Sequence, residues 1–148
     1  MQKLFHGIFG KWIDIADKWK IFISKGNGGA GTLGDGKPVA ILGKPYIGKA
    51  QSVCTDSLIP IGAFDTKKEA INLQKYIKTK FVRYMVGILK VSQNVYQNVY
   101  QFVPLQDFTD KSDIDWSKSV AEIDQQLYKK YNFDDSEIAF IEKMIKPM

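Results

Sequence analysis

Histidine and cysteine are almost missing from this chain: His6 and Cys54 are the only ones. One thiol excludes an internal disulfide and suits a reducing compartment, and among polar neighbours it reads as a small side chain. One histidine, with no second imidazole or thiolate nearby, leaves no zinc set and no cysteine–histidine nucleophile. The five prolines are all isolated, which removes the (Asp/Asn/Ser)-Pro-Pro-aromatic turn an amino-methyltransferase would need. Acid-x-lysine patterns occur only at Asp35-Gly36-Lys37 and Asp65-Thr66-Lys67, without the upstream acidic partner of a metal-dependent nuclease. No apolar run approaches the roughly 18 residues of a membrane helix. The first residues lack the basic start and apolar block of a signal peptide. These absences predict a cytoplasmic binding module that touches no membrane and carries no catalysis or cofactor of its own.

What is present is enough for one folded domain. A chain of 148 residues with 45% hydrophobic and 25% charged residues can build a proper core. The net charge of +5 is unevenly spread, at +9 over residues 1–93 and −4 over 94–148. A basic body with an acidic tail points to a polyanion-binding surface on the first part, unless the two halves balance within the fold.

The chain is organised around residues 58–97. Leu58, Ile59, Ile61 and Phe64 read as a buried strand closed by Asp65-Thr66. Thr66 and Glu69 have capping-box spacing, so a central helix should begin at Lys67. Ala70, Leu73, Ile77, Phe81, Met85, Ile88 and Leu89 give it an apolar face. Lys67, Lys68, Lys75, Lys78, Lys80, Arg83 and Lys90 make the opposite face cationic, facing either water or an acidic partner. Before it, residues 19–24 and 38–47 read as strands and 53–64 as two short extended segments, together a small antiparallel sheet. After it come a polar run, a last strand over 99–105, helical sequence from Ser117, and a final helix capped by Asp134 and Glu137 and stopped by Pro147. The doubled NVYQ at 94–101 is too short to be a structural repeat.

Between the first two strands lies Lys25–Pro38, in which six of fourteen residues are glycine. Gly26 to Gly31 satisfies G-x-G-x-x-G, but the segment ending at Pro38 cannot supply the helix whose N-terminus a dinucleotide loop presents. Gly31 to Lys37 imitates a phosphate-binding P-loop, but Pro38 stands where the Ser/Thr hydroxyl belongs. What remains is a glycine loop flanked by Lys25 and Lys37, able to bring backbone amides close to a phosphate chain, or else a plain hairpin loop.

Several stretches taken together carry a resemblance: IFISKGNGGAG, ILGKPYIGKA, VCTDSLIPIG, VYQNVYQFVPLQDF, DIDWSKS and EIAFIEKMIKP. They resemble the C-terminal portion of adenine-specific DNA methyltransferases of bacterial restriction–modification systems, including those fused to a nuclease. In that family this portion, similar to the TaqI-like specificity domain, recognises the DNA target. The resemblance spans roughly residues 19–148. It implies an α+β fold, with a small curved, mostly antiparallel sheet packed on a central helix and closed by C-terminal helices. It also implies a target-recognition domain excised from a larger enzyme, with an α+β body over 19–105 and a helical extension over 106–148. Adenosylmethionine, and Mg²⁺ where cleavage is involved, would belong to the parent enzyme. Its partners would be double-stranded DNA and the catalytic methyltransferase or nuclease portion.

On that reading, Lys25, Lys37, Lys44 and Lys49 contact phosphates, and Lys80 and Arg83 add backbone contacts from the helix. Asn27, Tyr46, Gln51, Ser92, Gln93, Asn94 and Gln97 read bases, since side-chain amides suit adenine edges. The alternative is a protein-docking module of the same kind of complex, using the acidic stretch Asp107 to Asp115.

Overall fold

Trp19–Ser24 forms β1, and its aromatic and β-branched residues place it at the centre of a three-stranded antiparallel sheet. Tyr46–Gly48 (β2) pairs with one side of it and Leu58–Phe64 (β3) with the other. The computed structural model describes residues 15–26 and 30–148, so the readings of His6, the lead-in before residue 15 and Asn27 lie outside the described residues. Ile21 and Ile23 are fully buried in the hydrophobic core, with Ile59 and Ile61 as their partners on β3. Both prolines of the sheet region sit at its rims, Pro60 in β3 and Pro45 just before β2. An edge tolerates proline because the missing N–H can point away from the neighbouring strand.

The sheet is curved for a local reason. Trp19 pairs with Phe64 and Ile21 with Ile61, so two steps on β1 face three on β3. Gly62 takes up the extra residue at φ 81°, where an added Cβ would run into Phe64 and Leu73.

Among the described residues four α-helices pack with the sheet in an α+β fold: α1 (Lys67–Lys78), α2 (Lys80–Leu89), α3 (Val120–Lys130) and α4 (Asp135–Met144). Capping boxes start α3 at Ser119/Glu122 and α4 at Asp134/Glu137, and Thr66 caps α1 as its spacing with Glu69 predicts. No helix among the described residues is long and apolar enough to cross a membrane.

The central helix expected from Lys67 onward is in fact two. Thr79 leaves helical geometry (ψ 149°) and serves both sides of the break. Its hydroxyl donates to Tyr76 O at 2.6 Å and accepts from Val82 N at 3.2 Å. From α3, the buried Asp124 carboxylate accepts from Lys80 N at 3.0 Å and Phe81 N at 2.9 Å, filling the remaining donors of the new N-terminus. A three- and four-residue apolar rhythm runs through such a joint undisturbed, so periodicity alone reads it as one helix.

Of two other expected strands, 99–105 is absent and 38–47 is strand only at its end, where Tyr46 and Ile47 enter β2. Residues 99–105 carry a 3-10 turn (Gln97–Tyr100) and further turns, because Val95, Val99, Tyr100 and Val103 are the buried positions, a spacing that suits turns better than alternation. Residues 38–45 are irregular: Ile41 has φ 66°, and Ala30 O accepts from both Ala40 N and Ile41 N. There Val39 forms an isolated parallel bridge with Ile145 instead of joining the sheet.

The core crosses the boundary drawn at residue 105. Phe108, Ile114, Trp116, Ile123, Leu127, Tyr128, Ile141 and Ile145 share one cluster with the strands and α1–α2. Phe81 stacks on Tyr131 at 5.2 Å and meets Phe133 edge-on at 5.5 Å, while Trp116 packs against Tyr76 and Phe108. Buried polar bonds add register, from Asn72 Nδ2 to Phe108 O (2.8 Å) and from the Tyr76 hydroxyl to Pro104 O (2.5 Å).

Candidate nucleic-acid interface

Where β1 ends, the chain is sewn to the polar run that follows α2. Lys25 O accepts from Val95 N at 2.7 Å, and Gly26 forms an antiparallel bridge with Asn94. The far side of the glycine loop is held as well. The buried ammonium of Lys90, at the end of α2, donates to Gly31 O at 2.6 Å. Leu33 and Ile41 then seat on Gly87, where an added Cβ would lie 2.8 Å from Leu33 Cδ1 and 3.0 Å from Ile41 Cδ1. The loop is therefore anchored at both feet, at the very place where Ser92, Gln93 and Asn94 are exposed.

These contacts sort the sequence-predicted site residues into groups. Lys25, Ser92, Gln93 and Asn94 lie together, with Gln97 exposed three residues further on. The Lys25 ammonium rests on the Asp56 carboxylate at 2.5 Å, a solvent-facing pair whose carboxylate is fully exposed. Tyr46 is exposed at the start of β2, opposite Phe22 and so toward the same end of β1, and Lys44 is exposed just before it. Lys49 and Gln51 are exposed beyond the opposite end of β2, where Gly48 faces Lys20 and Gln51 N donates to Ala16 O. They do not join the Lys25–Asn94 group. Lys37 is exposed beside the C-terminal end of α4, two residues before the Val39–Ile145 bridge.

The two helix cations are not where the sequence placed them. Arg83 is 1% exposed, and its guanidinium points inward. Nε donates to Lys78 O and Thr79 O at 3.2 Å each, and Nη1 donates to Ala40 O at 3.2 Å and Lys146 O at 2.7 Å. It clamps the helix joint, the loop and the C-terminal strap, and burial lowers its pKa to about 10. Lys80 is bound to Glu142, through the carboxylate at 2.5 Å and the carbonyl at 3.1 Å.

Most of the rest of the supposed cationic face is likewise engaged within the chain. Lys75 donates to Trp116 O and Lys118 O, Lys68 pairs with Asp110, and Lys67 lies over the Trp19 ring. The acidic stretch is drawn into the same fabric, with Asp113 paired to Lys130 and Trp116 buried. The partners of these cations are thus intramolecular: carboxylates for Lys68 and Lys80, backbone carbonyls for Lys75, Lys90 and Arg83, and an indole ring for Lys67.

Sequence reasoning missed two features here. One is Asp124, buried between α3 and the helix joint. Desolvation raises its pKa to about 6, while the Phe81 and Lys80 N–H groups and Arg83 oppose that shift. Nothing in the local sequence marks an acid in α3 as the cap of a helix forty residues earlier. The other is the aromatic content of the polar run. Tyr96 and Phe102 are exposed, and Asn98 and Gln101 with them. The doubled NVYQ held the signal: both valines are buried, but Tyr96 faces solvent while Tyr100 is buried. Among the described residues no cluster of three His, Cys, Asp or Glu side chains is placed to hold a metal ion.

No protein-family model matches the chain, and neither does any curated protein or solved structure.

Proposed function

We propose that this chain is a DNA target-recognition domain of a bacterial restriction–modification system, working in the cytoplasm beside a catalytic methyltransferase or nuclease portion. The observation that carries the reading is the Gly26–Asn94 bridge, which joins a lysine-flanked glycine loop to an exposed run of carboxamides. Glycines let backbone amides approach phosphates, lysines at 25, 37 and 44 supply charge, and Ser92, Gln93, Asn94 and Gln97 offer the donor–acceptor pairs that base edges require. The resemblance of the chain's stretches to the specificity portion of adenine-specific methyltransferases supports the same reading. Methyl transfer or cleavage, with adenosylmethionine or Mg²⁺, would fall to the partner portion.

The reading is tested by titrating a labelled duplex with the protein at rising salt. Affinity should fall steeply, and replacing Lys25 and Lys37 together with alanine should lower the slope of log K against log salt by roughly 1.8, at about 0.9 per lost phosphate contact. No binding at low salt, or a flat salt response, rejects it. Unchanged binding by the double variant moves the phosphate contacts away from the glycine loop.

A further inference from the structure

The segment from Val91 to Gln106 contains no charged residue. Nine of its residues are exposed, and exposed positions ordinarily include lysine or glutamate, so nine neutral ones in a row of sixteen need a reason. Its inward side is fully accounted for: Val95, Val99, Tyr100 and Val103 are buried and nail the segment to α2. Its outward side alternates carboxamides (Asn94, Gln97, Asn98, Gln101) with two aromatic rings, Tyr96 at 53% exposure and Phe102 at 50%. The backbone beneath is pinned further by Val95 N on Lys25 O and by Val99 N on Tyr96 O. Rings held half out of the core on a fixed backbone keep apolar faces in water that a partner can cover at little ordering cost.

We infer that Tyr96 and Phe102 are stacking platforms for unpaired or unstacked nucleobases, with the neighbouring carboxamides reading the edges of the bases so exposed. This rests on the DNA-recognition reading and extends it from base pairs in a groove to bases leaving the stack. The ring chemistry argues for that step. In an intact duplex the base faces are covered by their neighbours, so an aromatic side chain gains a stacking partner only where a step is opened or the strand is single. The absence of charge fits too, because bases are neutral and phosphates are not. The Gly26–Asn94 bridge sets the platform beside the lysine-flanked loop, which would hold the backbone of the same strand.

The test compares wild type, Tyr96→Ala, Phe102→Ala and Tyr96→Phe on three labelled probes: a perfect duplex, the same duplex with one unpaired base, and the corresponding single strand. Wild type should prefer the probes with exposed bases over the perfect duplex. Each alanine variant should lose about 10-fold or more on those probes and far less on the perfect duplex, with the salt slope unchanged. Tyr96→Phe should retain binding, since the ring face is what matters. Thermal melting should match wild type in all three, because neither ring is a core residue. Alanine variants that bind every probe like wild type overturn the stacking role while leaving DNA recognition standing, and would mark the rings as a protein-docking patch. Wild type that binds none of the probes rejects DNA recognition and the stacking role together.

Discussion

Lysines 75, 80 and 90 and Arg83 lie on the helices, and lysines 37, 44 and 49 lie on the loops around the sheet, yet in sequence all seven are simply cationic. The helical set ends on carbonyl oxygens and carboxylates of the same molecule. The loop set is exposed. A cation beside a helix end or an irregular loop meets backbone oxygens with accepting capacity to spare, and the fold claims it. A cation on a strand connection meets mainly water. Charge counted along a chain therefore overstates the surface available to a polyanion, and the overstatement falls on the helices.

Four measurements put that contrast at risk, and the one with the greatest expected loss is a deletion. Removing residues 107–148 should abolish cooperative unfolding altogether. The deletion strips Phe108, Trp116, Ile123, Leu127 and Tyr128 from the shared core and leaves Lys75 and Lys80 without acceptors. A truncated chain with a sharp urea transition would show that the first half folds by itself and that its helical lysines do not need the second.

Next comes Arg83→Ala, which should lower the unfolding free energy by about 3 kcal/mol, since it empties the place of a fully buried side chain and removes its hydrogen bonds to four carbonyls. Arg83→Lys should recover little of this, because one ammonium cannot span the fork of acceptors. The corresponding change at Lys37 or Lys44 should stay within about 0.5 kcal/mol. Equal losses at Arg83 and Lys37 in denaturant titrations would erase the distinction between the two sets.

Asp124 gives a pH signature. Burial raises its folded pKa to about 6, above the unfolded value, so the folded state holds the proton more tightly. The stabilisation that protonation confers is full below about pH 4 and is lost as pH rises through about 6, amounting to about 2–3 kcal/mol. Carboxylates such as Asp107, Asp115, Glu122 and Asp134 act oppositely. Hydrogen bonds from Thr109, Ser117, Ser119 and Ser136 hold their pKa values down, and their contribution fades as pH falls. The Asp124 effect is therefore read as a difference. Wild-type stability minus that of Asp124→Asn should decline between pH 4 and 6, and a difference independent of pH would mean the carboxyl is not held in its buried site.

The smallest effect is at Gly87. Alanine favours a helix by up to about 1 kcal/mol over glycine, but here its Cβ would press on Leu33 and Ile41. Gly87→Ala should cost about 1 kcal/mol net, and Leu33→Ala should relieve that cost in the double variant. A plain gain in stability would show that the glycine loop does not rest on α2.

Much of the fold was legible because its signals are local. β1, β3, the start of α1 and all of α4 follow from strand composition, capping spacing and a terminal proline. What escaped depends on residues far apart in the chain. The break at Thr79 is completed by Asp124, the irregular course at Ile41 by Ala30 and Arg83, and the turn at 97–100 by burial of both Val99 and Tyr100. The candidate site divided in the same way. Exposed loop residues were found where composition placed them, while Arg83 and Lys80 were misplaced because their acceptors lie about forty to sixty positions away.

The rim prolines have a consequence for behaviour in a crowded mixture. A three-stranded open sheet has two bare edges, and a bare edge is a template on which a second copy can lay down its own strand. Pro60 takes one donor out of β3, the longer rim, and Gly62 twists that strand away from the flat ribbon that edge-on association requires. On the other rim β2 is only three residues long and is preceded by Pro45. Neither side offers the uninterrupted row of hydrogen-bonding groups from which a fibre or a swapped dimer grows. In two prolines and a glycine the sheet thus carries its own protection against sticking to a second copy.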